Sequence, residues 1–551
     1  MLAGLGLALG LITATTWRKW GWPTFDGGYD PTVADVLAHG GKLYDDVRYF
    51  YGPAGVYSLA LAFKVLGTSL SVAFVFGYVQ ALAILGGFYV LARQWLAPLA
   101  AGLATLVLLV IAFSGTFFDF VLPHTDAATF GALFLILQVL ALARGRLLLG
   151  GVALGILLLT RPEYWPVGAA AVAGAALGRA RDDGWRAGAR LLIPTVAPAL
   201  VIAAATVVYF ASPRGLNDLL FEQIVPLDFI RAVGGRLQGG WAPFDVESLV
   251  ATIARAIVLG ALVVGALASA AGVARHRGPR RALALWPLAC ALVALALVGA
   301  AWHVLGIFPG TRRLLEDEIA RLLIAMSWLP VVAVLAALLA ARRALGRAPP
   351  LGPSWTADLT LAAASAACGL RAYNRFDFDS YAPYFAALPV LVTAVLLEQT
   401  GMRWPSARLA ARGVLVVMAV ALALHAYAGP YRHDTQNVET PRGSFMAYRE
   451  GGQAIQGTVD YLRAHAPSRA PIAVFPDSPG LHFLSDHPPA LRDVTFLPAT
   501  LDSTADERAA IRQLEHTRPP LIVVGAQRTQ QYGQSQVGVD YDRVLFGYLN
   551  A

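Results

Sequence analysis

The sequence predicts a polytopic α-helical membrane protein with a small α/β domain outside the membrane at its C-terminal end. Three observations predict it. Of 551 residues, 57% are hydrophobic and 14% charged, and mean hydropathy is +0.57, whereas a soluble chain carries roughly a quarter charged residues. Long apolar runs recur as far as residue 428, with arginines gathered in alternate connections. Beyond residue 430 the runs stop, and prolines, charges and short strand-like and helix-like patterns take over.

Thirteen apolar segments follow in order: 1–16, 70–92, 97–114, 126–142, 147–160, 164–178, 190–211, 248–274, 282–304, 321–341, 355–370, 381–397 and 413–428. A hydrocarbon core of roughly 30 Å needs about 20 helical residues. The shorter segments must therefore borrow flanking residues or pack inside the bundle. Segment 54–66 is interrupted by Lys64 and ended by Gly67. It reads as an interfacial helix of the first connection, 17–69, rather than a span. Residues 1–16 have no basic stretch before them, and Trp17, Arg18, Lys19 and Trp20 follow. An uncleaved anchor with an interfacial flank suits that pattern, whereas cleavage as a signal peptide would leave twelve spans.

The connections divide into two sets. One carries Arg93; Arg144 and Arg146; Arg179 through Arg190; Arg275 through Arg281; Arg342, Arg343 and Arg347; and Arg403, Arg408 and Arg412. These are cytoplasmic by the positive-inside rule. The N-terminus is then cytoplasmic, the C-terminal part extracytoplasmic, and the protein integral to the plasma membrane. The net charge of +8 comes from these loops; it describes membrane orientation rather than nucleic-acid binding. Cys290 and Cys368 both lie in apolar segments, so they provide neither a disulfide framework nor metal-ligand spacing.

Two domains result, 1–429 in the membrane and 430–551 outside it. In the second, Ile455, Val459 and Leu462 mark an amphipathic helix. Residues 471–477 and 520–525 read as buried strands, and 504–516 as a second helix. Strands alternating with helices predict a small parallel α/β layer. Neither strand leads into a glycine-rich nucleotide fingerprint, and no chemistry is assigned to this domain.

The polar motifs collect in the other set of connections. Residues 24–53 hold Asp26, Asp30, Asp35, Asp45 and Asp46 among Tyr29, Tyr44, Tyr49, Phe50 and Tyr51, as a groove shared by a sugar and a lipid would. His124 and Asp126 lie in FDFVLPHTD, Arg161 and Glu163 in RPEY, and Arg371 and Arg375 in RAYNRFDFDS. Arg312 and Arg313 stand beside Glu316 and Asp317 as a self-paired segment. Ionisable groups at the membrane are costly and point to function. An enzyme on the outer face has no ATP or sugar nucleotide, so its substrate must arrive activated on a lipid. A polyprenyl-phosphate sugar fits: its phosphate calls for cations, its tail for an apolar groove, and the acceptor hydroxyl for a carboxylate base.

Asp26 is followed by Tyr29 and, eight residues on, by Ala34; Gly40, Gly41, Tyr44, Asp45 and Pro53 come next, and Gly67 closes the interfacial segment. This arrangement resembles the GT-C superfamily of membrane glycosyltransferases, in the branch of protein O-mannosyltransferases and lipid A aminoarabinose transferases. Gly27 departs from that pattern, standing where the family has a second acid.

The resemblance implies an inverting transfer from a polyprenyl-phosphate sugar to a glycan, lipid or protein acceptor. Asp26 would be the catalytic base and Asp30, one turn on, its helper. Arg161, Arg371 and Arg375 would hold the donor phosphate, with Tyr29, Tyr44, His124, Asp126 and Glu163 lining the cavity. Simpler readings stand beside these: Asp126 as a helix cap, Arg161 paired with Glu163, and the outer arginines facing anionic headgroups. No cofactor is implied, although the first-loop acids could take a divalent cation, as in oligosaccharyltransferase relatives. A lipid-linked sugar flippase is the chief alternative, but it should show internal repeats, and none is visible. A non-catalytic assembly partner and a polymer ligase also fit the fold.

Overall fold

The structure is a computed structural model that describes residues 2–114, 118–211, 329–346, 348–372, 382–401, 405–426, 431–498 and most of 500–551, with isolated positions at 216, 219 and 220. The expected segments 248–274 and 282–304, the 310–318 motif and Arg375 lie outside the described residues.

The membrane part begins with α1 (Leu2–Thr16), α2 (Asp26–Ala38), α3 (Ala54–Leu66), α4 (Leu70–Ala92) and α5 (Pro98–Ser114). It continues with α6 (Asp126–Ala143), α7 (Leu147–Leu158), α8 (Tyr164–Asp183) and α9 (Trp185–Ala211), then α10 (Leu329–Leu345) and α11 (Trp355–Ala372). A 3₁₀ turn at Ala382–Phe385 leads into α12 (Ala387–Gly401) and α13 (Pro405–Ala426). Among the described residues, α4, α6 and α9 are each long and apolar enough to cross a membrane, and α1, α3, α5, α7 and α12 are shorter apolar helices.

Where the expected segments fall on described residues they coincide with helices, with instructive differences at their ends. Among the described residues, three helices rather than thirteen are long and apolar enough to span. Helix α8 runs on to Asp183 because Gly184 (φ +89°) is where the backbone turns into α9. Helix α13 starts at Pro405, before the apolar run, and carries two arginines that pair with Glu398 of α12: Arg412 at 2.6 Å and Arg408 at 3.8 Å. The largest difference is α2, which reads as loop in sequence because Gly27, Gly28 and Pro31 fall inside it.

Helix α8 packs along α11, α6 between α4 and α7, and α5 against α13. The α8–α11 approach depends on small residues one turn apart. A Cβ on Gly174 would stand 2.3 Å from the Leu359 carbonyl oxygen, and one on Gly178 2.4 Å from that of Trp355. Membrane helices pack closely through such stripes. At that end of the bundle, Asp182 accepts from the backbone N–H groups of Trp355 and Thr356 and so caps α11. Trp95 Nε1 donates to Asp358 at 2.7 Å, and Arg181 donates to the Ala344 carbonyl. Trp95, residues 181–182, Ala344 and the start of α11 therefore meet at this end.

The opposite end is built from residues 17–53, 118–125, 159–163 and 382–386, covered by the C-terminal part. There β1 (Asp434–Thr440) and β2 (Gly443–Tyr448) form an antiparallel hairpin that leads into α14 (Arg449–His465). Next come β3 (Ala473–Phe475), α15 (Gly480–Ser485), α16 (Thr504–Thr517), β4 (Ile522–Val524) and α17 (Arg543–Leu549). Strands β3 and β4 pair in parallel, Ala473 beside Ile522 and Phe475 beside Val524. The hairpin has no counterpart in the sequence reading: along polar β1, only Val438 is buried.

Candidate active site

Asp26 opens α2, where the exposed N–H end of the helix favours an anion. Its side chain is 46% exposed, and Oδ1 lies 3.8 Å from His124 Nδ1. Desolvation on its covered side is the larger influence and raises the carboxyl to about 6, and the Arg161 charge opposes it. A carboxylate that is open to solvent and titrates near 6 can act as a proton acceptor at neutral pH.

Asp30 lies one turn on and has a different setting. It is 2% exposed. Its Oδ2 accepts from the Thr125 hydroxyl at 3.1 Å and from the backbone N–H of Asp126. Burial raises this carboxyl to about 6 as well, against hydrogen bonds from Asp126, Tyr49 and Thr125. Thr125 itself is the N-cap of α6, accepting from Ala127 N–H. The cap expected of Asp126 is thus supplied by Thr125, with Asp30 as a second acceptor. Asp126 is the first helical residue, 4% exposed.

The cationic side comes from two further segments. Arg161 makes a two-pronged pair with Glu163, Nη2 to Oε1 at 2.7 Å and Nε to Oε2 at 3.2 Å. Arg371, near the end of α11, donates to the same Oε1 at 3.1 Å. Arg161 also lies over the Tyr51 ring at 4.8 Å, and Arg371 over that of Phe385 at 5.7 Å. Burial alone would raise the Glu163 carboxyl, but the two arginines outweigh it and hold the group well below the usual carboxylate range.

Asp26, His124, Asp126, Arg161, Glu163 and Arg371 therefore gather at one end of the bundle. Tyr29 and Tyr44 are packing residues here. Both are buried, and their hydroxyls donate to the carbonyls of Arg48 and Tyr51 respectively. Arg375 lies outside the described residues. Among the described residues, no group of three or more His, Cys, Asp or Glu could hold a metal ion.

Gly27 also finds an explanation. A Cβ there would meet Trp22 N at 3.1 Å and Leu122 Cδ2 at 3.2 Å, so a second acid would have to displace its neighbours.

Sequence reading missed two supporting groups, Asp119 and Tyr384. Asp119 is fully buried and accepts from the N–H groups of Gly21, Val121 and Leu122 at 2.7–2.8 Å, joining the first connection to the second. Tyr384 accepts from His124 N–H at 3.0 Å and donates to the Asp119 carbonyl at 3.2 Å. Tyr51 supplies the ring under Arg161. The aromatic doublets YFY and YAPYF were visible, but their facing partners were not.

No protein-family model matches the chain, and no curated protein matches it. Several solved structures are similar in fold. ArnT from Cupriavidus metallidurans in the apo state is 16% identical, over 89% of this chain and 84% of that one, with TM-score 0.39. The same protein bound to undecaprenyl phosphate is 15% identical, over 95% and 89%, with TM-score 0.38. The oligosaccharyltransferase AglB from Archaeoglobus fulgidus, in complex with an inhibitory peptide and a dolichol-phosphate, is 12% identical over 95% and 69%, with TM-score 0.47.

Proposed function

We propose that the protein is an inverting glycosyltransferase that moves a sugar from a polyprenyl-phosphate donor to a cell-envelope glycan, lipid or protein at the outer face of the membrane. One observation carries the reading: a solvent-open carboxylate at the start of α2 shares one end of the bundle with two arginines held on a single glutamate. In the proposed step Asp26 takes the proton of the acceptor hydroxyl. The oxygen attacks the anomeric carbon as the bond from that carbon to the phosphate oxygen breaks. The electron pair leaves with the lipid phosphate, and Arg161 and Arg371 offset its growing charge. Arg375 is given the same task from its place in the sequence alone. A single displacement inverts the anomeric centre.

The guanidiniums serve the phosphate, so the step as drawn calls for no metal. Asp30, closed off from solvent, supports α6 rather than the chemistry.

The test uses purified protein in lipid nanodiscs with synthetic decaprenyl-phosphate sugars. Release of decaprenyl phosphate, with an inverted linkage seen by NMR, is expected for at least one sugar. Failure to release from any member of a broad donor panel, with cell-envelope extracts as acceptors, would count against transfer and favour a transporter or scaffold.

A further inference from the structure

The reading above assigns chemistry to Asp26, Arg161 and Arg371 and leaves Glu163 without a task. Yet Glu163 is the carboxylate that joins the two arginines. It is 9% exposed and bonded to both arginines, which come from different parts of the fold. Two guanidinium nitrogens at 2.7 and 3.1 Å from one oxygen stand within about 6 Å of each other, so without an anion between them the two cations repel. Each is also set over an aromatic ring from another segment, Tyr51 or Phe385. An arginine without a fixed partner loses the preorganisation that makes it effective toward phosphate.

We infer that Glu163 is the positioning residue of the site: it holds Arg161 and Arg371 together in one fixed arrangement facing the lipid phosphate. This rests on the transferase reading for its kinetic consequence, though its binding consequence does not. A second effect follows from charge. Asp26 faces His124 at 3.8 Å and the Arg161 charge; Asp30 follows one turn on in α2, Asp126 opens α6, and Glu163 with Arg371 reaches this end through Arg161. Arg161 already eases ionisation of Asp26. Glu163 opposes that influence by cancelling part of the Arg161 charge.

The experiment compares wild type, Glu163→Gln and Glu163→Asp, first for binding of decaprenyl phosphate in detergent, then for transfer as a function of pH. Glu163→Gln is expected to weaken binding about tenfold, and Glu163→Asp to recover part of that loss. In an Arg161→Gln background, Glu163→Gln should add little. The acid side of the rate profile should move to lower pH in Glu163→Gln, because the Arg161 charge is no longer offset; a variant that merely unfolds would not move it.

Unchanged or tighter binding in Glu163→Gln would overturn the inference and make Glu163 a competitor for the phosphate. If Glu163→Gln does not fold, Glu163→Ala carries the test, and unchanged binding there overturns it. Wild-type transfer with indifferent Glu163 variants defeats this inference alone. Wild-type protein that neither binds decaprenyl phosphate nor transfers a sugar defeats both readings.

Discussion

Gly28 of α2 and Gly480 at the head of α15 touch backbone to backbone: a Cβ on Gly28 would come within 2.4 Å of the Gly480 Cα. The C-terminal part is thereby seated on the helix that carries Asp26. Gly480 N–H donates to the Thr24 carbonyl at 3.1 Å, and the Thr32 hydroxyl to that of Pro479 at 2.8 Å. Arg48 reaches Asp493 and the Thr500 carbonyl, while Arg442 joins Asp35 to Asp486. The C-terminal part therefore fixes the first connection in place, although none of its described residues contributes a group to the site itself.

Gly480→Ala should test that seating. Its Cβ would fall 1.7 Å from the Pro23 carbonyl oxygen, and a backbone neighbour cannot turn aside. Overpacking of this kind costs about 1–3 kcal/mol. Limited proteolysis should cut residues 17–53 faster than in wild type, and transfer should fall although residue 480 touches none of the proposed reacting groups. Wild-type proteolysis and rate would mean that the contact is incidental.

Asp30→Ala addresses the second carboxylate, because an amide would keep an acceptor oxygen for Thr125 and Asp126. If Asp30 is chiefly an acceptor for Thr125 and the start of α6, losing that pairing should lower stability by about 1–3 kcal/mol. The melting temperature should drop, while transfer per folded molecule falls far less than in Asp26→Asn. A rate loss as large as that of Asp26→Asn, without a change in melting temperature, would return Asp30 to the chemistry.

Apolar runs made the bundle legible. Segment 70–92 is helix α4 residue for residue, and segment 126–142 misses α6 by one position. What stayed hidden was whatever depends on a distant partner. The start of α13 is marked by arginines that only make sense beside Glu398. Helix α2 contains two glycines and a proline, and three of its residues, Gly28, Thr32 and Asp35, contact residues between 442 and 486. The site followed the same rule. Asp26 and Arg161 could be singled out by type and place, but the division of labour between Asp26 and Asp30 depends on which carboxylate α6 covers.

Orientation is the next expectation, resting on arginine placement. Cysteines introduced singly at exposed positions 186 and 460 of a Cys290→Ser, Cys368→Ser background should respond differently to an impermeant maleimide on intact cells. Position 460, in α14, should label, and position 186, at the start of α9, only after permeabilisation. The reverse pattern would turn the site toward the cytoplasm and remove the reason for a lipid-borne donor.

Asp26→Asn bears most directly on the chemistry. The amide keeps the size of the carboxylate and much of its hydrogen bonding but cannot accept the hydroxyl proton. Loss of a general base typically costs about 10²–10⁴-fold in rate. Binding of decaprenyl phosphate should change little, since the arginine contacts remain. The pH profile supplies the second measurement. With its carboxyl raised to about 6, Asp26 is the required anion above that pH and is lost as a base below it. Wild-type kcat/KM should therefore fall tenfold per unit on the acid side of about 6, and the residual activity of Asp26→Asn should show no such limb. A near-normal rate in Asp26→Asn would remove the base assignment. A large rate loss that kept the acid limb at 6 would instead move the titrating role to another group.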